Sequence, residues 1–221
     1  MSTALCWSRL GRVPYVAVWE AMRATTEAPG PHRLWTLEHP PVFTLGQAGR
    51  REHLRNPGAT PVIACDRGGQ VTWHGPGQIV AYVLLDLRQG PRAVRRLVTV
   101  LEQAVLDLLG DYGIGGERRP GAPGVYVGGR KLAALGLRVR KGRSYHGLAL
   151  NLDCDLAAFR RIDPCGYPGL EVTRLRDLGV NDEFAAVEER LAGHLAAALG
   201  LRLNPSDPSL CPQTTISPLR A

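Results

Sequence analysis

Apolar residues recur every three or four positions across residues 91–109, where Val94, Leu97, Val98, Leu101, Ala104, Val105, Leu108 and Leu109 fall on one face of a predicted helix. Pro91 suits its first turn, and Gly110 or Gly113 its end. A second helical stripe of Phe184, Val187, Leu191, Leu195 and Leu199 is expected to start from a cap at Asn181 or Asp182 and to stop at Gly200. A third, weaker stripe covers residues 14–26. Between the helices the period drops to two. Short β-rich runs bounded by Gly or Pro predict strands at 33–38, 42–45, 61–64, 70–74, 79–87, 125–127, 131–140 and 145–152. The last three read as a meander with tight turns at Gly128-Gly129 and Lys141-Gly142-Arg143, because glycine admits positive φ. In its final strand, alternation puts His146, Leu148, Leu150 and Leu152 on one face and Tyr145, Gly147, Ala149 and Asn151 on the other. That second face is small enough to admit a ligand. Strands interrupted by two or three helices predict an α+β domain with a mixed or largely antiparallel sheet.

The chain has 221 residues, enough to bury a substantial core. Residues 1–203 read as one domain and 204–221 as a tail rich in Pro, Ser and Thr. The longest apolar run, residues 79–85, is far short of the roughly 18 that a membrane span needs. The first ten residues lack a charged start followed by an apolar stretch, so the cytosol is the expected compartment. Cys6, Cys65, Cys154, Cys165 and Cys211 are irregularly spaced with no Cys-x-x-Cys pair. This argues against a disulfide framework and against a zinc knuckle, and predicts free thiols.

Charge narrows the partners. The formal net charge is +7, which favours acidic partners. The basic residues are spread along the chain, not packed into a stripe with interleaved aromatics, which argues against nucleic acid and leaves an acidic protein. Of the 27 basic residues only Lys131 and Lys141 are lysines.

Three polar, glycine-rich stretches interrupt the apolar pattern. The first, Arg67-Gly68-Gly69-Gln70-Val71-Thr72-Trp73-His74-Gly75-Pro76-Gly77-Gln78, lets backbone approach a bound group closely, although tight turns around a short strand would have the same composition. It matches neither a P-loop nor a dinucleotide fingerprint. In the second, Lys131 opens an apolar strand, where desolvation would favour its neutral amine; an ordinary turn lysine is the alternative. Arginine could not replace it in proton exchange. In the third, Cys165 sits between Pro164 and Gly166, where a thiol can meet a substrate and nearby N–H groups can hold an oxyanion; a structural turn cysteine is again the alternative. Cys154 is the decoy, since Asp153 and Asp155 on either side would suppress its thiolate.

Taken in order, the Arg67–Gln78 stretch, Gly129-Arg130-Lys131-Leu132-Ala133-Ala134-Leu135-Gly136, the run from His146 to Asp153, and Pro164-Cys165-Gly166 resemble the lipoyl(octanoyl) transferase family. The resemblance extends from His39 to Leu175. It implies a single biotin/lipoate protein ligase-like domain with a mixed β-sheet flanked by helices. It further implies transfer of an octanoyl group from octanoyl-acyl carrier protein to a lysine of a lipoyl domain. The acceptors would be lipoyl domains of 2-oxo-acid dehydrogenase complexes and the glycine-cleavage H protein. No cofactor, metal, nucleic acid or membrane is implied. By position, Cys165 would be the acylated nucleophile and Lys131 the residue that tunes it. The acyl-binding residues would be Arg67, Gly68, Gly69, Gln70, Val71, Thr72, Trp73, His74, Ala134, Leu135, Gly136, Gly147, Leu148 and Ala149. Trp73 stands where Tyr is commoner in the family, and its larger ring bears on pocket width. Three rivals remain: an ATP-dependent ligase of the same fold, a basic nucleic-acid module, and a cysteine hydrolase pairing Cys165 with His74 or His146.

Overall fold

The computed structural model of the chain describes residues 4–87 and 92–205, with the side chains of residues 92–94, 165 and 205 outside the description. Eleven strands and three α-helices follow one another along it among the described residues. The main sheet takes β1 (Ala4–Arg12), β2 (His32–Glu38), β6 (Gln78–Leu84), β7 (Glu117–Arg118), β8 (Gly124–Val127), β9 (Arg130–Arg140), β10 (Arg143–Asn151) and β11 (Arg202–Pro205) in the order β11-β1-β2-β6-β10-β9-β8-β7. β1 runs parallel to both β2 and β11 and every other pair is antiparallel, so the sheet is mixed, as the strand pattern predicts. A small second sheet holds β3 (Val42–Leu45) between β4 (Val62–Ala64) and β5 (Val71–His74).

The apolar stripes decide what covers each face. Leu97, Leu101, Ala104, Val105, Leu108 and Leu109 of α2 (Arg92–Asp111) pack with Val187, Leu191, Ala192 and Leu195 of α3 (Phe184–Leu199) against one side of the main sheet. From the sheet they meet Leu34, Ile79, Ala81, Val83, Leu148 and Leu150. The alternate residues Trp35, Leu37, Val80, Tyr82, Tyr145 and Ala149 face the other side, against Val18 and Met22 of α1 (Tyr15–Thr25). The small sheet closes over Cys154, Ala158, Phe159 and Ile162.

Both predicted meander turns form. Gly128 and Gly129 (φ 54° and 80°) join β8 to β9, and Lys141 and Gly142 (φ 50° and 74°) join β9 to β10. Each is a two-residue loop with both residues at positive φ, the geometry that matches strand twist. Three expectations need correction. α3 begins at Phe184 with no side-chain cap, because Asp182 accepts a hydrogen bond from Tyr112 Oη (2.9 Å) instead. Cys6 is disulfide-bonded, while Cys65 and Cys154 are free; irregular spacing along the chain says nothing about a pairing made by tertiary proximity. β11 carries regular structure two residues beyond position 203, and residues 206–221 lie outside the described residues.

Glycine is obligatory at only some positions. Gly77 has φ +79°, and a Cβ there would lie 2.4 Å from the Asp153 carbonyl oxygen. Gly193, exposed in the middle of α3, has open space around it. We therefore expect Gly77→Ala to destabilise by roughly 2–4 kcal/mol and Gly193→Ala to stabilise by about 0.5–1 kcal/mol, both read by urea unfolding. Equal effects at the two sites would contradict this packing.

Candidate active site

A cavity of about 390 Å³ lies between the main sheet and the glycine-rich stretch. Arg67, Gly68, Gly69, Gln70, Val71, Thr72 and His74 line it from one side, and Ala134, Leu135, Gly136, Gly147, Leu148 and Ala149 line it from β9 and β10. Lys131 lines it as well. Thus three of the four motifs that carry the resemblance line one cavity. Trp73 is the exception, because β5 alternates: its ring turns into the small sheet, edge-on to Phe159 (centroids 5.6 Å apart), and so does not set the pocket width.

The loop before β5 is built around Arg67. Its buried guanidinium donates to Thr44 Oγ1 and to the carbonyls of Thr44, Gly68 and Gln70 (2.6–3.0 Å). Its donors hold the loop, leaving little to offer a ligand. Gly68 N–H donates to Leu137 O (2.9 Å), and a Cβ on Gly136 would lie 2.9 Å from Gly68 O. Gly147 is small for a reason other than the slot predicted for it. A Cβ there would lie 2.0 Å from Ala81 O of β6.

Lys131 reaches the cavity through a break in register. Val125 pairs with Ala133 but Tyr126 pairs with Lys131, so β9 carries an extra residue there and re-aims its lysine. Backbone bonds to Glu171 O and from Thr173 N–H (both 2.9 Å) fix the bulge. The side chain is 5% exposed and lies against Gly124, where a Cβ would be 2.6 Å from its Cε; its Nζ stands 5.4 Å from the Tyr126 ring centre. The Cys165 side chain lies outside the description, but its backbone belongs to a 3₁₀ turn, Pro164–Gly166. Pro164 shares a narrow crevice with Lys131, Thr72 and Gln78, and Gly166 abuts the Gln70 carboxamide. The turn is tied down by Arg55, which donates to the buried Asp163 carboxylate (2.8–3.0 Å). Cys154, the decoy, is fully buried, and burial more than its flanking carboxylates pushes its thiol up to about 12.

Beyond His74, which was expected to bind the acyl group, sequence reading missed the buried residues Val80, Tyr82 and His146 that line this cavity with it. Behind them His39 joins Val13 O (2.8 Å) to Tyr82 Oη (2.7 Å). Asn151 donates to Thr173 O (2.9 Å), so its Oδ1 takes the Gln78 amide (2.9 Å), and Gln78 Oε1 is left to accept from His74 Nδ1 (2.7 Å). This chain assigns the proton of neutral His74 to Nδ1 and leaves Nε2 unprotonated. Asp66 accepts from Trp19 Nε1 (2.8 Å), Tyr145 Oη and His146 Nε2 (3.2 Å). Although burial alone would raise it, those donors hold its carboxyl well below the ordinary range. His146 also breaks the predicted alternation. Its φ of +62° swings the ring off the helix-facing side of β10 and onto the side of Tyr145. The one visible signal was the density of His and Tyr in these segments; their mutual proximity is a product of the fold.

Residues 16–196 match the lipoyl protein ligase A/B catalytic domain. The chain belongs to that family. Proteins named octanoyltransferase resemble this family member closely. One from Azoarcus sp. (strain BH72) is 58% identical over 210 residues, covering 93% of this chain and 92% of that protein. One from Alkalilimnicola ehrlichii is 60% identical over 193 residues, covering 86% and 90%. Among solved structures, a lipoate-protein ligase A bound with ATP superposes with TM-score 0.77 at 14% identity, covering 93% of this chain and 89% of that one. A biotin protein ligase from Aquifex aeolicus gives 0.53 at 12%, covering 90% and 69%. At such identities the structural likeness establishes the biotin/lipoate ligase fold and no more. Among the described residues no helix is long and apolar enough to cross a membrane, and no group of three or more His, Cys, Asp and Glu is placed to hold a metal ion.

Burial holds His39 down to about 4 and lowers His74 and His146 below the usual histidine range. All three are therefore neutral in the folded protein at neutral pH, whereas the unfolded chain takes up protons near pH ~6.5. The unfolded state binds more protons across the window between, so stability is full above pH ~6.5 and is lost as pH falls through it toward 4, by about 3 kcal/mol for His39 alone. Urea unfolding at pH 7.5, 6 and 4.5 is expected to show that decline; a flat profile would contradict the buried neutral cluster.

Proposed function

We propose that this family member transfers an octanoyl group from octanoyl-acyl carrier protein to a lysine of a lipoyl domain, through a thioester on Cys165 managed by Lys131. The acceptors in this reading are lipoyl domains of 2-oxo-acid dehydrogenase complexes and the glycine-cleavage H protein. One catalytic domain carries the whole reaction. The observation that carries the reading is the single cavity in which Lys131, the Arg67–His74 loop and the Ala134–Gly136 and Gly147–Ala149 segments converge beside the Pro164–Gly166 turn. The close relatives named octanoyltransferase support the acyl group assigned to it.

Lys131 takes the proton of the Cys165 thiol, the thiolate attacks the carbonyl carbon of the donor thioester, and the carrier sulfur leaves and receives that proton back from Lys131, whose amine is then neutral. A second thioester has replaced the first at little free-energy cost, so no nucleotide is called for. The acceptor amine then attacks the acyl-enzyme, an amide forms, the Cys165 sulfur leaves, and Lys131 collects the proton that the amine releases. Around seven methylene-type groups entering the cavity gain about 0.8 kcal/mol each, or about 5 kcal/mol in total. The catalytic thiol must stay reduced, and the cytoplasm is the proposed setting, although the Cys6 disulfide is of a kind rare there. The arginine excess favours encounter with acidic carrier and acceptor domains, which salt would weaken.

Two variants test the role given to Lys131. Lys131→Arg keeps the charge but cannot give up its proton, and is expected to lose roughly 10²–10⁴-fold in kcat for octanoyl transfer assayed without ATP. Gly124→Ala sets a Cβ against both Lys131 Cε and the Ala133 carbonyl oxygen (2.6 Å each) at φ +144°, and the folded variant is expected to lower kcat more than it raises KM for the carrier protein. Near wild-type turnover of Lys131→Arg would refute proton transfer by Lys131, and an absolute requirement for ATP would favour the ligase rival.

A further inference from the structure

We infer that His146 determines the acyl chain length this cavity accepts, by closing its buried end with a ring that cannot move aside. The inference rests on the octanoyl-transfer reading and adds to it the residue that measures the chain.

The backbone supplies the first observation. His146 and Lys141 are the only non-glycine residues at positive φ among the described residues, and Lys141 sits in an exposed hairpin turn where such values are ordinary. His146 sits inside a buried strand, where regular alternation would turn its side chain toward α2 and α3. Such a conformation persists only where its surroundings over-determine it. Here they do. The ring stacks on Tyr145 (4.9 Å) and on Tyr15 (6.5 Å) and meets the edge of Tyr82 (5.9 Å). Its Nε2 is held by Asp66, itself fixed by Trp19 and Tyr145, and its backbone N–H points to Met22 Sδ (3.4 Å).

The position supplies the second. At 1% exposure the ring lines the cavity at the register of Leu137, its partner on β9, whereas the exposed Gly121 precedes β8, whose first residue Gly124 pairs with Ala134. On β10 the small side chain of Ala149 leaves room, and His146, three residues back along the strand, puts its ring into the lining. From Ala149 to His146 is three residues, about 10 Å along the strand, comparable with an extended eight-carbon chain. An added pair of methylenes meets a ring whose rotation would break the Asp66 bond and unstack two tyrosines.

The test measures kcat/KM with carrier protein loaded with octanoyl, decanoyl or dodecanoyl groups. Wild type is expected to prefer octanoyl over dodecanoyl by at least tenfold. His146→Gly suits the left-handed backbone while deleting the ring, and is expected to cut that preference at least tenfold. His146→Asn, which tolerates the same backbone with a shorter side chain, is expected to shift it in the same direction by less. Asp66→Asn is expected to relax the preference partway, as a positioning residue should. An unchanged octanoyl-to-dodecanoyl ratio in a folded His146→Gly or His146→Asn variant overturns the inference. So does a wild type that uses both chains equally, a result that needs no variant to fold. A wild type with no octanoyl transfer overturns the underlying reading instead.

Discussion

The cavity exists because two stretches of backbone lie closer together than side chains allow. Gly68 of the loop before β5 and Gly136 of β9 face each other, joined by the bond from Gly68 N–H to Leu137 O, and a Cβ on either would fall 2.9 Å from the other's neighbourhood of carbonyl oxygens. Backbone packed on backbone puts a loop over the sheet with no side chains in between. Arg67 then fixes the loop's shape through carbonyls that would otherwise be buried without donors. With that loop displaced, the sheet face of Val80, Gly147 and Ala149 would be an open apolar surface and the 3₁₀ turn of Cys165 would lose the Gln70 side chain it rests against.

The site divides into an apolar slot and a rigid polar wall. The slot comes from small residues and backbone on β9 and β10. The wall comes from buried histidines, tyrosines and Asp66, in which Tyr82 pairs with His39, Tyr145 and His146 pair with Asp66, and His74 is held by Gln78. A network of that kind is stabilising only while its members keep their protonation states and partners. It gives the enzyme a stiff boundary at the cost of sensitivity to acid. Lys131 belongs to neither part. It enters through a register break in the sheet that backbone bonds to Glu171 and Thr173 fix, into space left free by Gly124.

The helices α2 and α3 and the strands from β2 to β10, apart from the short β7, were legible because their apolar periods are local. β1, β7 and β11 were not. β7 spans two residues, while β1 and β11 reveal themselves only by pairing with each other from opposite ends of the chain. The Arg67–His74, Ala134–Gly136 and Gly147–Ala149 segments line one cavity with Lys131, except Trp73, which strand alternation carries to the far side of β5. The His146 inversion could not be read from sequence, since the alternation rule assumes regular backbone and the residues that enforce the exception, Asp66 and Tyr15, are distant in the chain. For the same reason Gly124 looked like an ordinary turn residue until Lys131 was placed against it.

The central claim is that the sulfur of Cys165 carries the acyl group between donor and acceptor. Incubation of the full chain with octanoyl-loaded carrier protein, without ATP or acceptor, followed by intact-mass spectrometry and peptide mapping, tests it most directly. One added octanoyl mass on the peptide containing Cys165, labile to hydroxylamine and discharged by a lipoyl domain, is the result the account predicts. A mass on another residue, or rapid transfer by a Cys165→Ser variant with no covalent species, would contradict it.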